Sequence, residues 1–336
     1  MKKATILFLV FLFFSCKEEP TKSGLIQNYG EALGTTFNIQ YESSEDFMAD
    51  FEDVFKRVNQ SMSTYQKTSD ISKINQGDTS IIVDTLFVNV LKTSQQIWKE
   101  TNGIFDPTVG LLVNAYGFGP NKQLLAIDST KIDSIRAFVG LDKISLTLEN
   151  KIVKADSRIF IDFNALAKGY TLDLLGDVLN QKGVKNYLIE LGGELLAKGK
   201  NTDKNKNWTV AIDNPTQNEN ERTFIRFLEL RDNRAMATSG NYRKFSEDTA
   251  TGQKFVHSIN PLTGWPKVSN VLSASVLAST CMVADAYATV FMVMDLEESI
   301  AFLSQHTELD AFIIYTDASG TLQEWMTEGF KKVLID

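Results

Sequence analysis

Thr280-Cys281-Met282-Val283-Ala284-Asp285-Ala286-Tyr287-Ala288-Thr289 is the stretch on which the reading of this sequence turns. It is a run of small and apolar residues with one carboxylate, and it reads as the start of a helix fed by a strand around Ala274 to Ala278. On a helix, Asp285 and Thr289 lie four residues apart and share a face. An oxygen-only pair suits a hard cation such as Mg²⁺, which takes few protein ligands and completes its shell with water and phosphate. The same residues fit a plainer role, with Asp285 capping the helix and Thr289 bonding back to a backbone carbonyl. The rest of the chain has to separate the two.

Upstream and downstream of that stretch, strands and helices follow one another in irregular order. Phe37, Ile39 and Tyr41 alternate as in a half-buried strand. A helix capped by Ser43 or Ser44 carries the stripe Phe47, Phe51, Val54, Phe55, Val58 and Met62. A second helix with Phe87, Val90, Leu91, Ile97 and Trp98 stops at Asn102-Gly103. Ile144, Leu146 and Leu148, then Ile152 and Val153, predict a hairpin, and Ile159-Phe160-Ile161 a short buried strand ending in Asp162. A helix opens at Asn164 to Tyr170, strands are expected at 184–190, 208–212, 224–230 and 311–315, and 237–243 reads as a loop. The pattern predicts α+β or mixed α/β, and the α+β form, mixed sheets with packed helices in a single large domain or two interlocked lobes, is the one expected.

The N-terminus reads differently. Met1-Lys2-Lys3 precedes an apolar run to Phe14 and then Ser15-Cys16-Lys17-Glu18-Glu19-Pro20, the form of a secretory signal too short to span a bilayer. Cys16 after a small residue resembles a bacterial lipobox. The expectation is a signal peptide over 1–15, a lipidated tether from Cys16 over 16–29, and a folded domain over 30–336, anchored on the periplasmic side of a bacterial membrane. Cys281 is then the one cysteine left, which leaves no internal disulfide and no zinc site. A net charge of −8 argues against a general nucleic-acid binder, and a hydrophobic fraction of 43% supports a sizeable core.

Several segments share a chemical character. Asp106, Asp162 and Asp285 each sit by Gly, Ala or Pro where an apolar element meets a turn, the kind of place from which a scaffold presents functional groups. Gly192-Gly193 and Ser239-Gly240 offer backbone N–H groups suited to phosphate oxygens. Tyr65, Phe105 and Tyr170 are candidates to flank a flat ring. Taken singly, each is as well explained by a cap, a tight turn or core packing. No Ser-His-Asp arrangement is legible. His257, in a loop fixed by Pro261 and Gly264, is a candidate acid or base and equally a structural hydrogen-bonding group.

The order and wording of these segments resemble the FAD:protein FMN transferases of the ApbE family over roughly residues 30 to 330. The resemblance rests on Leu33-Gly34-Thr35, Ser61 to Tyr65, Gly103 to Gly110, Asp162 to Tyr170, Gly192-Gly193-Glu194, Ala237 to Gly240, His257 to Gly264 and the opening stretch. It implies an architecture related to the T-fold and an enzyme that uses Mg²⁺ to cleave FAD, joins FMN to a threonine of an acceptor flavoprotein and releases AMP. By position it implies Leu33, Tyr65, Ile104, Phe105, Asp106, Asp162, Lys168 and Ile259 around FAD. It likewise implies the Ala165 carbonyl, Asp285 and Thr289 around Mg²⁺. Leu33 stands where many members have Met, and Asn260 where the loop usually has Asp. His257 is the expected general base, with a carboxylate near the metal as its rival. Two other activities fit the same residues: a metal-dependent FAD pyrophosphatase giving FMN and AMP, and a non-catalytic flavin-binding lipoprotein.

Overall fold

Side-chain alternation builds a sheet that is buried on both faces. In the computed structural model, which describes residues 24–119, 128–217, 222–231, 234–240, 245–247, 254–256, 258–267 and 269–335, the chain opens with β1 (Gly24–Ala32) and β2 (Thr35–Ser43). Next come α1 (Met48–Met62), α2 (Asp70–Asn75), α3 (Thr85–Glu100), α4 (Gly110–Ala115) and α5 (Ser129–Arg136), then the hairpin β3 (Ile144–Leu146) and β4 (Ile152–Lys154). α6 (Ala167–Gln181) leads to β5 (Tyr187–Leu191), β6 (Glu194–Lys198), β7 (Lys200–Asn201), β8 (Lys206–Asp213), β9 (Phe224–Leu230) and β10 (Ala235–Gly240). A small hairpin, β11 (Phe245–Glu247) and β12 (Lys254–Val256), precedes β13 (Val271–Ala278), α7 (Cys281–Val293) and α8 (Leu296–Leu303). β14 (Asp310–Thr316), β15 (Leu322–Met326), α9 (Glu328–Lys331) and β16 (Leu334–Ile335) finish the chain.

The eight-stranded sheet has the order β1-β2-β5-β6-β10-β13-β14-β15, and a second, four-stranded sheet runs β16-β9-β8-β7. All pairs of named strands are antiparallel. Along β10 and β14, Ala235, Ala237, Ala311 and Ile313 join the core beneath α1, α3, α6 and α7. The intervening Met236, Phe312 and Ile314 point the other way, into a core with Trp208, Ile212, Leu228 and Phe330 beneath the small sheet. Burial on both sides explains why these strands read as continuous apolar runs rather than strict alternations. A third, smaller cluster joins Leu112, Tyr116, Ile132, Val139 and Ile259. The α+β expectation of sheets with packed helices in one domain is met, the paired strands being antiparallel rather than mixed.

Several local expectations differ. Residues 24–29, read as tether, are the first part of β1, paired from Gly24 opposite Ser43. Their polarity reflects an edge strand with one face in water, which looks like a linker in sequence. Ser43 therefore belongs to β2 and does not cap α1. Asp46 accepts from the Met48 N–H at 2.8 Å, and the Tyr41 hydroxyl from the Phe47 N–H at 2.8 Å. Residues 159–161 form only a single parallel bridge, Phe160 to Val109, with Ile161 held at both its N–H and its carbonyl by the Asn75 side chain. Ser239 and Gly240 lie inside β10, paired with Ala274 and Ser273, and not in a loop. Cys16, with the rest of 1–23, lies outside the described residues, as does His257.

Candidate active site

The N-terminal turns of α6 and α7 meet almost back to back. Gly169 makes this possible: a Cβ there would come within 2.3 Å of the Cys281 carbonyl oxygen and 2.9 Å of the Asp285 Cβ. The two helices cap each other across that contact. Asp173 of α6 accepts from the N–H groups of Cys281 at 2.7 Å and Met282 at 2.9 Å. Asp285 of α7 accepts from the Gly169 N–H at 3.0 Å. Anionic side chains at helix N-termini answer both the bare N–H groups and the helix dipoles. Asp285 is thus a cap, though of the neighbouring helix; its own helix is capped by Thr280, whose side chain accepts from the Val283 N–H.

A compact charge cluster grows from this junction. Lys168 donates to Glu194 Oε1 at 2.7 Å and stands 3.7 Å from Asp285 Oδ2. The carboxylates are nearly sealed, each 4% exposed, while Lys168 at 31% reaches the surface. Burial pushes the Asp285 carboxyl above the usual range; Lys168 pulls it back and the Glu194 charge pushes it up again. Burial alone would lower the Lys168 pKa, but Asp285 and Glu194 outweigh it and hold the ammonium charged. Glu194 Oε2 is buried and has no hydrogen-bond partner among the described residues. Cys281 is likewise buried, and burial, then the charge of Asp173, keeps its thiol well above the ordinary range. It is an inert packing residue.

The other expected site residues fall into two groups. Asp106 and Asp162 are brought together, because the Asp162 N–H donates to the Pro107 carbonyl at 2.8 Å and Gly110 leaves room for the Phe160 ring. The Tyr65 side chain is largely exposed, and the pKa of its hydroxyl is raised by partial burial and then by the Asp162 charge. Leu33 sits at the β1–β2 turn with a positive φ of 52°, a conformation a side chain seldom adopts, followed by Gly34 at 76°. That turn adjoins Gly192, whose N–H donates to the Thr36 carbonyl at 3.0 Å.

The second group is committed elsewhere. Phe105 and Tyr170, expected to flank a flat ring, are buried in the core, with the Tyr170 hydroxyl accepting from Asn89. Ile104 beside them is half-buried and packs on the same core. The Gly192 and Gly193 N–H groups are not bare: the first is used by Thr36 and the second donates to Glu190 Oε1 at 3.1 Å. Ser239 is held in the β10–β13 ladder. The side chain of Ile259 packs in the third cluster, and its loop is pinned by Tyr116, whose hydroxyl donates to the Gly264 carbonyl at 3.1 Å.

The donor chemistry of Ala165, Asp285 and Thr289 is of the kind Mg²⁺ takes. Ala165 lies in the turn that opens α6, Asp285 and half-buried Thr289 share one face of α7, and all offer oxygen. Among the described residues no group of three or more His, Cys, Asp or Glu side chains is arranged to hold a metal. Mg²⁺ does not ask for one, since it is ordinarily bound by one or two carboxylates plus water and substrate phosphates. The bare Glu194 oxygen adds negative charge to the same spot. Sequence reasoning passed over Glu194 and Asp173. Glu194 was signalled by a lone carboxylate opening an apolar strand, while Asp173 looked like any polar position on an amphipathic helix.

The chain matches the family model described as the ApbE family over residues 33–313. It is 35% identical over 333 residues to a protein of Haemophilus influenzae named FAD:protein FMN transferase, covering 95% of this chain and 93% of the relative. Among solved structures, the flavin transferase ApbE from Vibrio cholerae superposes with a TM-score of 0.81 at 31% identity, over 93% of this chain and all of the other. The flavinyl transferase ApbE of Pseudomonas stutzeri gives 0.81 at 26% identity, over 94% and 98%.

Proposed function

This chain belongs to the ApbE family, and from that premise we propose that it is a transferase moving the FMN half of FAD onto an acceptor protein. The observation that carries the reading in this chain is the buried junction of α6 and α7, where Asp285, Glu194 and Lys168 gather opposite charges at one spot. In the finer reading, a threonine hydroxyl of the acceptor attacks the FMN phosphorus, the bond to the AMP oxygen breaks, and AMP leaves. Held by the Ala165 carbonyl, Asp285 and Thr289, a Mg²⁺ ion would neutralise the pyrophosphate and orient the leaving group, an effect worth several kcal/mol.

The chain's own residues have distinct tasks. Lys168 brings a held positive charge to the phosphates. Tyr65 presents an exposed ring face and Leu33 an apolar side chain on a strained turn, both suited to the isoalloxazine. Asp106 and Asp162 fix the loops between them. His257 takes the threonine proton, a contribution of roughly 10²–10⁴-fold. The signal-like start and Cys16 support an exported, membrane-anchored lipoprotein acting on flavoproteins outside the cytoplasm.

The test is a flavinylation assay on purified chain with FAD, Mg²⁺ and a threonine-bearing acceptor, read as flavin fluorescence that survives denaturing electrophoresis. Labelling that is lost with a chelator is the expected result. FAD converted to FMN and AMP while the acceptor stays unlabelled would replace transfer by hydrolysis, and intact FAD would leave a binding protein.

A further inference from the structure

Glu194 opens β6 directly after the Gly192-Gly193 turn, with its side chain only 4% exposed. Its two oxygens are treated unequally. Oε1 accepts from the Lys168 ammonium at 2.7 Å, whereas Oε2 is buried and no donor among the described residues reaches it. A buried acceptor left unpaired costs about 1–3 kcal/mol, and more when it is charged. Such groups are few in native folds, and a water or ion is one of the things that completes them.

The surroundings say what that something is. The same ammonium that serves Glu194 stands 3.7 Å from Asp285 Oδ2, so one cation is shared between two buried carboxylates. With both carboxylates ionised, the cluster carries a surplus negative charge. A neutral donor would satisfy the lone pair of Oε2 but leave the surplus in place, while a hydrated cation meets both needs. Asp285 is already a proposed ligand of the divalent ion, and Glu194 shares the Lys168 ammonium with it. Mg²⁺ keeps several of its waters when it binds, so a carboxylate one water away is still a partner of the ion.

We propose that Glu194 is a further residue of the divalent-cation site, with its Oε2 accepting a hydrogen bond from a water on the ion. This rests on the reading of Asp285 and Thr289 as ion ligands. It makes Glu194 a positioning residue with two duties, orienting a metal-bound water through one oxygen and holding Lys168 through the other. It also sets Lys168 in competition with the ion for the same two carboxylates.

The test is a titration of the full chain with Mn²⁺ alone, without flavin, followed by the loss of the free-ion signal in electron paramagnetic resonance. Glu194→Gln should weaken Mn²⁺ binding by about 10–100-fold, the usual cost of losing an outer-shell partner. Lys168→Met should tighten it by at least about threefold, because the competing charge is gone. Asp285→Asn marks the ion site itself and should lose binding. If Glu194→Gln binds within about twofold of wild type while Asp285→Asn does not bind, the role of Glu194 falls and the ion site stands. If wild type takes up no Mn²⁺, both fall together. Should Glu194→Gln prove unfolded by circular dichroism, Lys168→Met decides, and unchanged or weaker binding in it overturns the proposal.

Discussion

Asp106 and Glu194 are both buried carboxylates placed next to glycine turns, and the fold uses them in opposite ways. Asp106 receives four donors: the Trp98 indole N–H, the N–H and hydroxyl of Thr108, and the Leu141 N–H. Burial still raises its carboxyl, but every lone-pair direction is engaged. Glu194 has one donor on one oxygen and, among the described residues, none on the other. The comparison separates a carboxylate that builds a loop from one left open toward a ligand. A saturated acid contributes shape and stability, and an unsaturated one beside a second acid and an ammonium is poised for chemistry.

That contrast can be tested by changing each region and asking which property moves. Asp285→Ala at the open cluster should lower Mg²⁺-dependent transfer by roughly 10³-fold, the several kcal/mol attributed to the ion, with flavin affinity affected less. Steady-state kinetics beside flavin fluorescence quenching would show it, and wild-type turnover would remove Asp285 from the site. Asp106→Ala at the saturated loop should do the reverse and lower unfolding free energy by roughly 3 kcal/mol or more, because several buried donors lose their acceptor together. A denaturant midpoint unchanged from wild type would contradict the structural role.

Gly169→Ala lies between the two extremes. Its methyl would press on the Cys281 carbonyl and force α6 and α7 apart, at about 1–3 kcal/mol of stability and with weaker Mn²⁺ uptake. Stability lost with Mn²⁺ affinity intact would mean that the helix junction does not set the ion site.

A further effect is a pH slope from Asp173. Burial pushes its carboxyl up from 3.8 to about 7, against the pull of the two α7 N–H groups. The folded chain thus binds this proton more tightly than the unfolded chain. The resulting stability is full below about pH 4 and is lost as pH rises through about 7, by no more than about 1.4 kcal/mol per pH unit. Asp173→Asn does not titrate, so the margin of wild type over the variant should shrink between about pH 4 and 7 and stay level above it. Melting curves with a constant margin would refute this.

Much of the fold was legible because it follows from local pattern. The stripe from Phe51 to Met62 and the alternation of Phe37, Ile39 and Tyr41 each bury one face, and both elements stand where the pattern put them. The misreadings share a cause. Residues 24–29 looked like a tether because an edge strand is polar on its open face, and Ala237 to Gly240 looked like a loop because small polar residues also fit between two neighbouring strands. Gly192 and Gly193 looked like free phosphate donors because nothing in a sequence reports that Thr36 and Glu190 will claim their N–H groups.

The sequence by itself determined the class of fold, the family resemblance and Asp285 with Thr289 on one helical face, since periods of two and 3.6 and ordered motifs are written in neighbouring residues. It left Asp285 undecided between cap and ligand. Tertiary structure showed that the cap is real but belongs to α6, through the Gly169 N–H, and that Lys168 and Glu194 stand beside it. Those partners come from segments far apart in the chain. Only the packing of α6 on α7 and β6 decides which charges share a buried space, because Coulomb energy and desolvation depend on distance in three dimensions and not on position along the sequence.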